Sequence, residues 1–138
     1  MANTGYNWGS WAFAKDSAGN DWNNKALADN ATETSNTSVS LDMKAACEVA
    51  ISLYEDNTGA IDGDVTVYVL GSGVGDEEVG QGSPWCFTIR PVQNDTVYKR
   101  FSVDPASYGD FKIAVKNESG QELAVTVKYR TADIPAAS

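Results

Sequence analysis

Residues 111–129 read FKIAVKNESGQELAVTVKY. Phe111, Ile113 and Val115 alternate with Lys112, Ala114 and Lys116, and Leu123, Val125, Val127 and Tyr129 alternate with Ala124, Thr126 and Lys128. A period of two puts one set on each face of a strand. Between them, Asn117-Glu118-Ser119-Gly120 carries turn chemistry. The stretch therefore predicts two strands joined as a hairpin, each with one apolar face.

The same alternation extends back to residue 39. Val39, Leu41 and Met43 share one face, as do Cys47, Val49, Ile51 and Leu53. Val65, Val67 and Val69 follow, then Trp85, Phe87 and Ile89. Val97, Phe101 and Val103 make the next set, with Lys99 as the exception. Asp56-Asn57-Thr58-Gly59, Asp104-Pro105 and Tyr108-Gly109-Asp110 supply turns between them. Residues 25–33 and 42–50 have room for a helical turn at most. The pattern predicts an all-β fold, an antiparallel β-sandwich of seven or eight strands. On the residues alone, jelly-roll and immunoglobulin-like arrangements both remain open.

Residues 1–36 break the alternation. They are rich in Asn, Ala, Ser, Thr and Asp, punctuated by Tyr6, Trp8, Trp11, Phe13 and Trp22. The chain thus divides into an irregular aromatic arm at 1–36, a sandwich domain at 37–132 and a short tail at 133–138. The aromatics suit three roles: cover for an open edge of the sandwich, anchors in another subunit, or a platform for stacking sugars. Trp and Tyr dominate interface hot spots, so Tyr6, Trp8, Trp11, Phe13 and Trp22 are the candidate protein-interface residues. Sugar platforms sit on rigid elements, which disfavours an irregular segment.

At 138 residues the chain has the length of one domain with its own core. Ten Lys and Arg face 19 Asp and Glu, a net charge of −9, with no basic run. That disfavours nucleic acid and anionic membranes, because phosphate binding needs a basic surface. Residues 1–69 hold three of the basic side chains and residues 70–138 hold seven. The start, MANTG, has neither a positive nor an apolar segment of the secretory type, so no signal peptide is expected.

Catalytic chemistry finds little to work with. The chain has no histidine, which removes His-based triads and His metal sites. Cys47 shares a face with Val49 and Ile51, whereas Cys86 points away from the face of Trp85 and Phe87. That parity predicts two free thiols, Cys47 inside the core. Val69-Leu70-Gly71-Ser72-Gly73-Val74-Gly75 looks like the start of a dinucleotide loop but runs into Asp76-Glu77-Glu78, then Gly80, Gly82 and Pro84. Those acids repel phosphate and those breakers forbid the required helix. The stretch from Gly71 to Pro84 reads instead as a long end loop, with Val74, Asp76, Glu77, Glu78 and Val79 as a second contact candidate. Carboxylates at Glu55, Asp56, Asp62 and Asp64 lack EF-hand spacing. No enzyme activity, cofactor or metal is expected.

Two stretches carry a resemblance: MANTGYNWGSWAFAKDSAGNDW at the start and FSVDPASYGDFKIAVKNESGQELAVTVKYRT at 101–131. With the all-β middle, they resemble small virion proteins of tailed bacteriophages, in particular head decoration (cement) proteins with jelly-roll domains. The resemblance implies a jelly roll rather than an immunoglobulin-like sandwich. It implies a structural protein of the virion, made in the host cytoplasm, that binds the outer surface of the major capsid protein lattice, or another virion protein, as a dimer or trimer. Trp8 and Trp11 would then insert between capsid subunits. The alternatives are a tail or fibre component, or a carbohydrate-binding module or adhesin domain.

Overall fold

The computed structural model describes residues 6–55, 59–72, 75–81 and 84–135. Its strands are β1 (Ala12–Phe13), β2 (Lys25–Leu27), β3 (Thr32–Thr34), β4 (Val39–Ser40), β5 (Lys44–Tyr54), β6 (Val65–Gly71), β7 (Trp85–Ile89), β8 (Thr96–Ser102), β9 (Asp110–Asn117) and β10 (Leu123–Asp133). No helix occurs among the described residues. Two antiparallel five-stranded sheets form a β-sandwich. The first runs β1-β10-β5-β8, with β2 also on β10; the second runs β3-β9-β6-β7, with β4 also on β9. Each sheet is thus four strands wide, and two short strands share one edge position.

The alternating residues meet between the sheets. Val49, Ile51, Leu53, Val125 and Val127 from the first pack with Val65, Val67, Ile113 and Val115 from the second, all buried. The two open sides of the sandwich are closed differently. Between β7 and β8, Phe87 and Phe101 meet edge to face at 4.9 Å, with Trp85 half exposed beside them. Such a ring pair adds about 1 kcal/mol beyond its buried area. On the opposite side, Lys25 of β2 bridges Asp16 at 3.3 Å and Glu33 of β3 at 3.4 Å. Burial pulls the Asp16 carboxyl up, but N–H donation from Asn20 and Ala18, with Lys25 alongside, outweighs it and holds the carboxyl below its ordinary range.

The segment before residue 37 lies along the domain wherever it is described. Gly9 N–H donates to the Thr131 carbonyl and Ala14 N–H to that of Val127. Ala12 and Phe13 pair with Tyr129 and Lys128, while Thr32–Thr34 pair with Lys116–Ala114. Residues 8–35 thereby cover the outer edges of both β10 and β9, which would otherwise expose unpaired backbone groups.

The hairpin expected over 111–129 does not form. β9 belongs to the second sheet and β10 to the first, so residues 118–122 cross the sandwich. The two apolar faces bury against each other across the core rather than side by side. Asn117, fully buried, is the reason the crossing holds. Its Nδ2 donates to the carbonyls of Leu27 and Gln121 at 3.0 and 2.7 Å, and its Oδ1 accepts from the backbone and hydroxyl of Ser119. Asp62 N–H donates to the Ser119 carbonyl, docking the β5–β6 loop on the same turn.

Replacing Asn117 with Ala strips buried partners of their hydrogen bonds, each orphan costing about 1–3 kcal/mol. Asn117→Ala is therefore expected to lower the urea midpoint by the equivalent of about 3 kcal/mol. An unchanged midpoint would show that the crossing does not depend on this side chain.

Candidate functional site

The register of the first sheet decides what its outer face displays. Arg130 of β10 lies opposite Glu48 of β5, and Glu48 lies opposite Ser102 of β8. One step along, Phe13, Lys128, Ala50 and Arg100 form a row across four strands. In the next row Ser52 sits between Thr126 and Tyr98. All of these point away from the core, because their neighbours Val49, Ile51, Val125 and Val127 point into it.

The aromatic residues of the N-terminal segment are spread over this face. The Arg130 guanidinium lies over the rings of both Trp8 and Trp11, at 4.4 and 4.8 Å from their centroids. Lys128 Nζ sits 4.6 Å from the Phe13 ring, and Arg100 reaches the Trp11 ring at 5.7 Å. Tyr6, largely exposed, meets Trp8 edge-on at 5.7 Å. Arg130 also donates from Nε and Nη2 to one oxygen of Glu48. The pair is mostly shielded from water, at 22% and 18% side-chain exposure. It is therefore worth more than an exposed surface bridge, whose median contribution is about 0–1 kcal/mol.

Beside this band lies a groove of about 450 Å³. Ala50, Ser52 and Thr126 make its floor; Tyr98, Arg100 and Lys128 make its walls. A second hollow of about 490 Å³ opens on the other side of Glu48, between Tyr6, Trp8, Ala46 and Ser102.

Trp22, grouped with the other aromatics by sequence, is elsewhere. It is fully enclosed in the core and presents no surface to a partner. Its indole N–H has no acceptor there, a polar group buried for the sake of the ring's packing. The second candidate, the loop between β6 and β7, is described at 75–81; Val74 lies outside the described residues, as does Asp56 of the carboxylate cluster. Glu77 is tied back to β6: its Oε1 accepts from Gly71 N–H at 2.6 Å, and its own N–H donates to the Gly71 carbonyl. Asp76 and Glu78 are exposed and Val79 is half-buried. Burial pushes the nearby Tyr108 phenol up, and Glu77 adds to it. A β-strand follows this loop, and among the described residues no three His, Cys, Asp or Glu side chains converge on a point.

Sequence reasoning named the aromatics but not Glu48, Arg100, Lys128 or Arg130. Their signal was present in the polar halves of the alternating strands. Setting the polar face of β10 against that of β5 would have brought Arg130 to Glu48.

The chain matches no protein-family model. No curated protein aligns with it significantly.

The thiols sit as parity requires, Cys47 buried and Cys86 exposed. Burial, with Glu48 adding to it, pushes the Cys47 thiol from 9.0 up to about 12. A thiol held neutral this way is a small apolar core residue, not a nucleophile. Its contribution to stability is intact below pH 9.0 and is lost as pH rises toward about 12, where only the unfolded chain ionises readily. At pH 8 a thiol reagent is expected to titrate Cys86 at once and Cys47 only after denaturation. Two fast thiols in the native protein would contradict this placement.

Proposed function

We propose that the protein is a non-enzymatic structural protein of a virion. In this reading it is a capsid decoration protein, working as a dimer or trimer, that binds the outer surface of the major capsid protein lattice and stabilises it. The observation that carries the reading is the band of Trp8, Trp11, Arg130 and Arg100 across the outer face of the first sheet. Trp and Arg are the residue types that dominate protein-interface hot spots, and here they are held in fixed geometry on a rigid sheet.

Strand order supports a jelly roll within the sandwich. The chain changes sheet between β2 and β3, β4 and β5, β5 and β6, β7 and β8, β8 and β9, and β9 and β10. Only β6 and β7 are both consecutive and paired with each other. Jelly rolls are shared by capsid and lectin domains, so the sugar-binding alternative starts from the same fold. The cations count against it: Arg130 covers faces of Trp8 and Trp11, and Lys128 covers Phe13. A ring face that lies under a cation is not open to sugar stacking. A protein that binds only the assembled lattice stabilises it by mass action, with no chemistry required.

The test is cosedimentation with assembled heads, built from the major capsid protein encoded in the same genome. Saturable binding and a higher temperature of head disruption are expected. The double variant Tyr6→Ala/Trp11→Ala should bind at least about tenfold more weakly while its own fold persists. Point variants are preferable to removing the N-terminal segment, which would also uncover the edge of β10. Heads that never retain the protein would overturn the reading.

A further inference from the structure

We propose that the groove between Tyr98, Arg100 and Lys128 is a docking site for an acidic, extended polypeptide segment of a partner protein. The inference rests on the protein-docking reading above and names the chemistry its partner must bring to this face.

Acidic residues outnumber basic ones, 19 to 10, so a basic side chain has no shortage of carboxylates. Lys15, Lys25, Lys44, Arg90 and Lys116 each have one within 4.0 Å, whereas Lys99, Lys112 and Lys128 do not among the described residues. Lys128 meets the Phe13 ring instead. Arg100 stands 3.9 Å from Glu48, beyond hydrogen-bonding distance, and the other oxygen of that carboxylate is taken by Arg130. Arg100 and Lys128, both with unused donors, therefore share one groove that Lys99 also lines, in a protein whose net charge is −9.

Geometry selects the shape of the occupant. Arg100 and Lys128 both pair with Ala50, one from each side. Two inter-strand steps separate their backbones by about 10 Å, with a methyl group between them. Ala50, Ser52 and Thr126 are short, so a peptide main chain can lie close over them. Alternate residues of an extended chain project side chains of the same face about 7 Å apart. Acids at alternate positions then reach Arg100 and Lys128 together. Tyr98, 79% exposed, offers a ring edge and a hydroxyl at the groove's end. An anionic glycan meets the same charges but finds the rings of Trp8, Trp11 and Phe13 already covered by cations.

Three probes test this: an octapeptide alternating Glu and Ser, its Gln–Ser counterpart, and an oligogalacturonate of matched charge. Calorimetry and amide chemical-shift mapping are run on the full chain, the Arg100→Glu/Lys128→Glu variant, and a Lys112→Glu/Lys116→Glu control on the other sheet. The Glu–Ser peptide is expected to bind, to shift amides around Ala50 and Ser52, and to weaken with salt. Binding should fall at least about tenfold in the Arg100/Lys128 variant and stay unchanged in the control. Absence of peptide binding, or equal losses in both variants, overturns the proposal. Tighter binding of the oligogalacturonate at the same amides reassigns the groove to a glycan. Salt-sensitive self-association that the Arg100/Lys128 reversal abolishes reassigns it to a second copy. Peptide binding without retention on heads would sink the virion reading alone; retention on heads without peptide binding would sink this one alone.

Discussion

The pairing of β5 with β10 is the constraint on which the rest of the molecule depends. Lys44–Tyr54 and Leu123–Asp133 are the longest strands, and they are paired over nearly their whole length. That register sets both faces at once. Inward, Val49, Ile51 and Leu53 meet Tyr129, Val127 and Val125; outward, Glu48 meets Arg130 and Ala50 meets Lys128. A slip of one residue would turn Arg130 and Lys128 into the core and Val125 and Val127 into water. The penalty for a buried unpaired charge makes the alternative register inaccessible. The irregularity between Ala132 and Asp133 comes only after Lys128 and Arg130 have passed.

Much of this could be read from the chain because the information was local. Alternation in 44–54, 65–71, 110–117 and 123–133 marks strands with one apolar face, and a buried face is what a sandwich requires. What escaped was set by distant backbone. β1, β2 and β3 are two or three residues long, too short for periodicity, and they exist because the edges of β10 and β9 need partners. The turn at 117–120 has the same chemistry whether it closes a hairpin or crosses between sheets. Buried partners decided for crossing, through the Leu27 carbonyl 90 positions from Asn117. Trp11 and Trp22 looked equivalent for the same reason. Without alternation around them, nothing local says that one faces outward over Arg130 and the other is enclosed in the core.

The two ways of closing the sandwich leave it with unlike edges. The side bridged by Lys25 between Asp16 and Glu33 is ionic and already covered by the N-terminal segment. The other side ends in β7 and β8, whose outer backbone groups have no further strand among the described residues. On β8, Lys99 pairs with Ile51 and so takes the core-facing parity. Lys99 is nonetheless exposed, and a charged lysine on an edge strand disfavours edge-to-edge addition of another chain. β8 thereby keeps its backbone edge unattractive while its outward side chains, Tyr98 and Arg100, remain available. Association is steered from the edge to the face.

The face itself combines two states of the same residue type. Arg130 is saturated: its guanidinium has Glu48 as counter-ion and two indole rings around it, so it acts as rigid scaffolding that fixes where Trp8 and Trp11 lie. Arg100, two strands further, touches the outer limits of the same network and keeps its donors. A surface made only of saturated cations would be inert, and one made only of free cations would be mobile and strongly hydrated. Placing a locked arginine beside a free one holds the aromatics in position without consuming the charge that a partner would meet. The net charge of −9 disfavours acidic partners over the molecule as a whole, so the cationic groove also biases the orientation in which they approach.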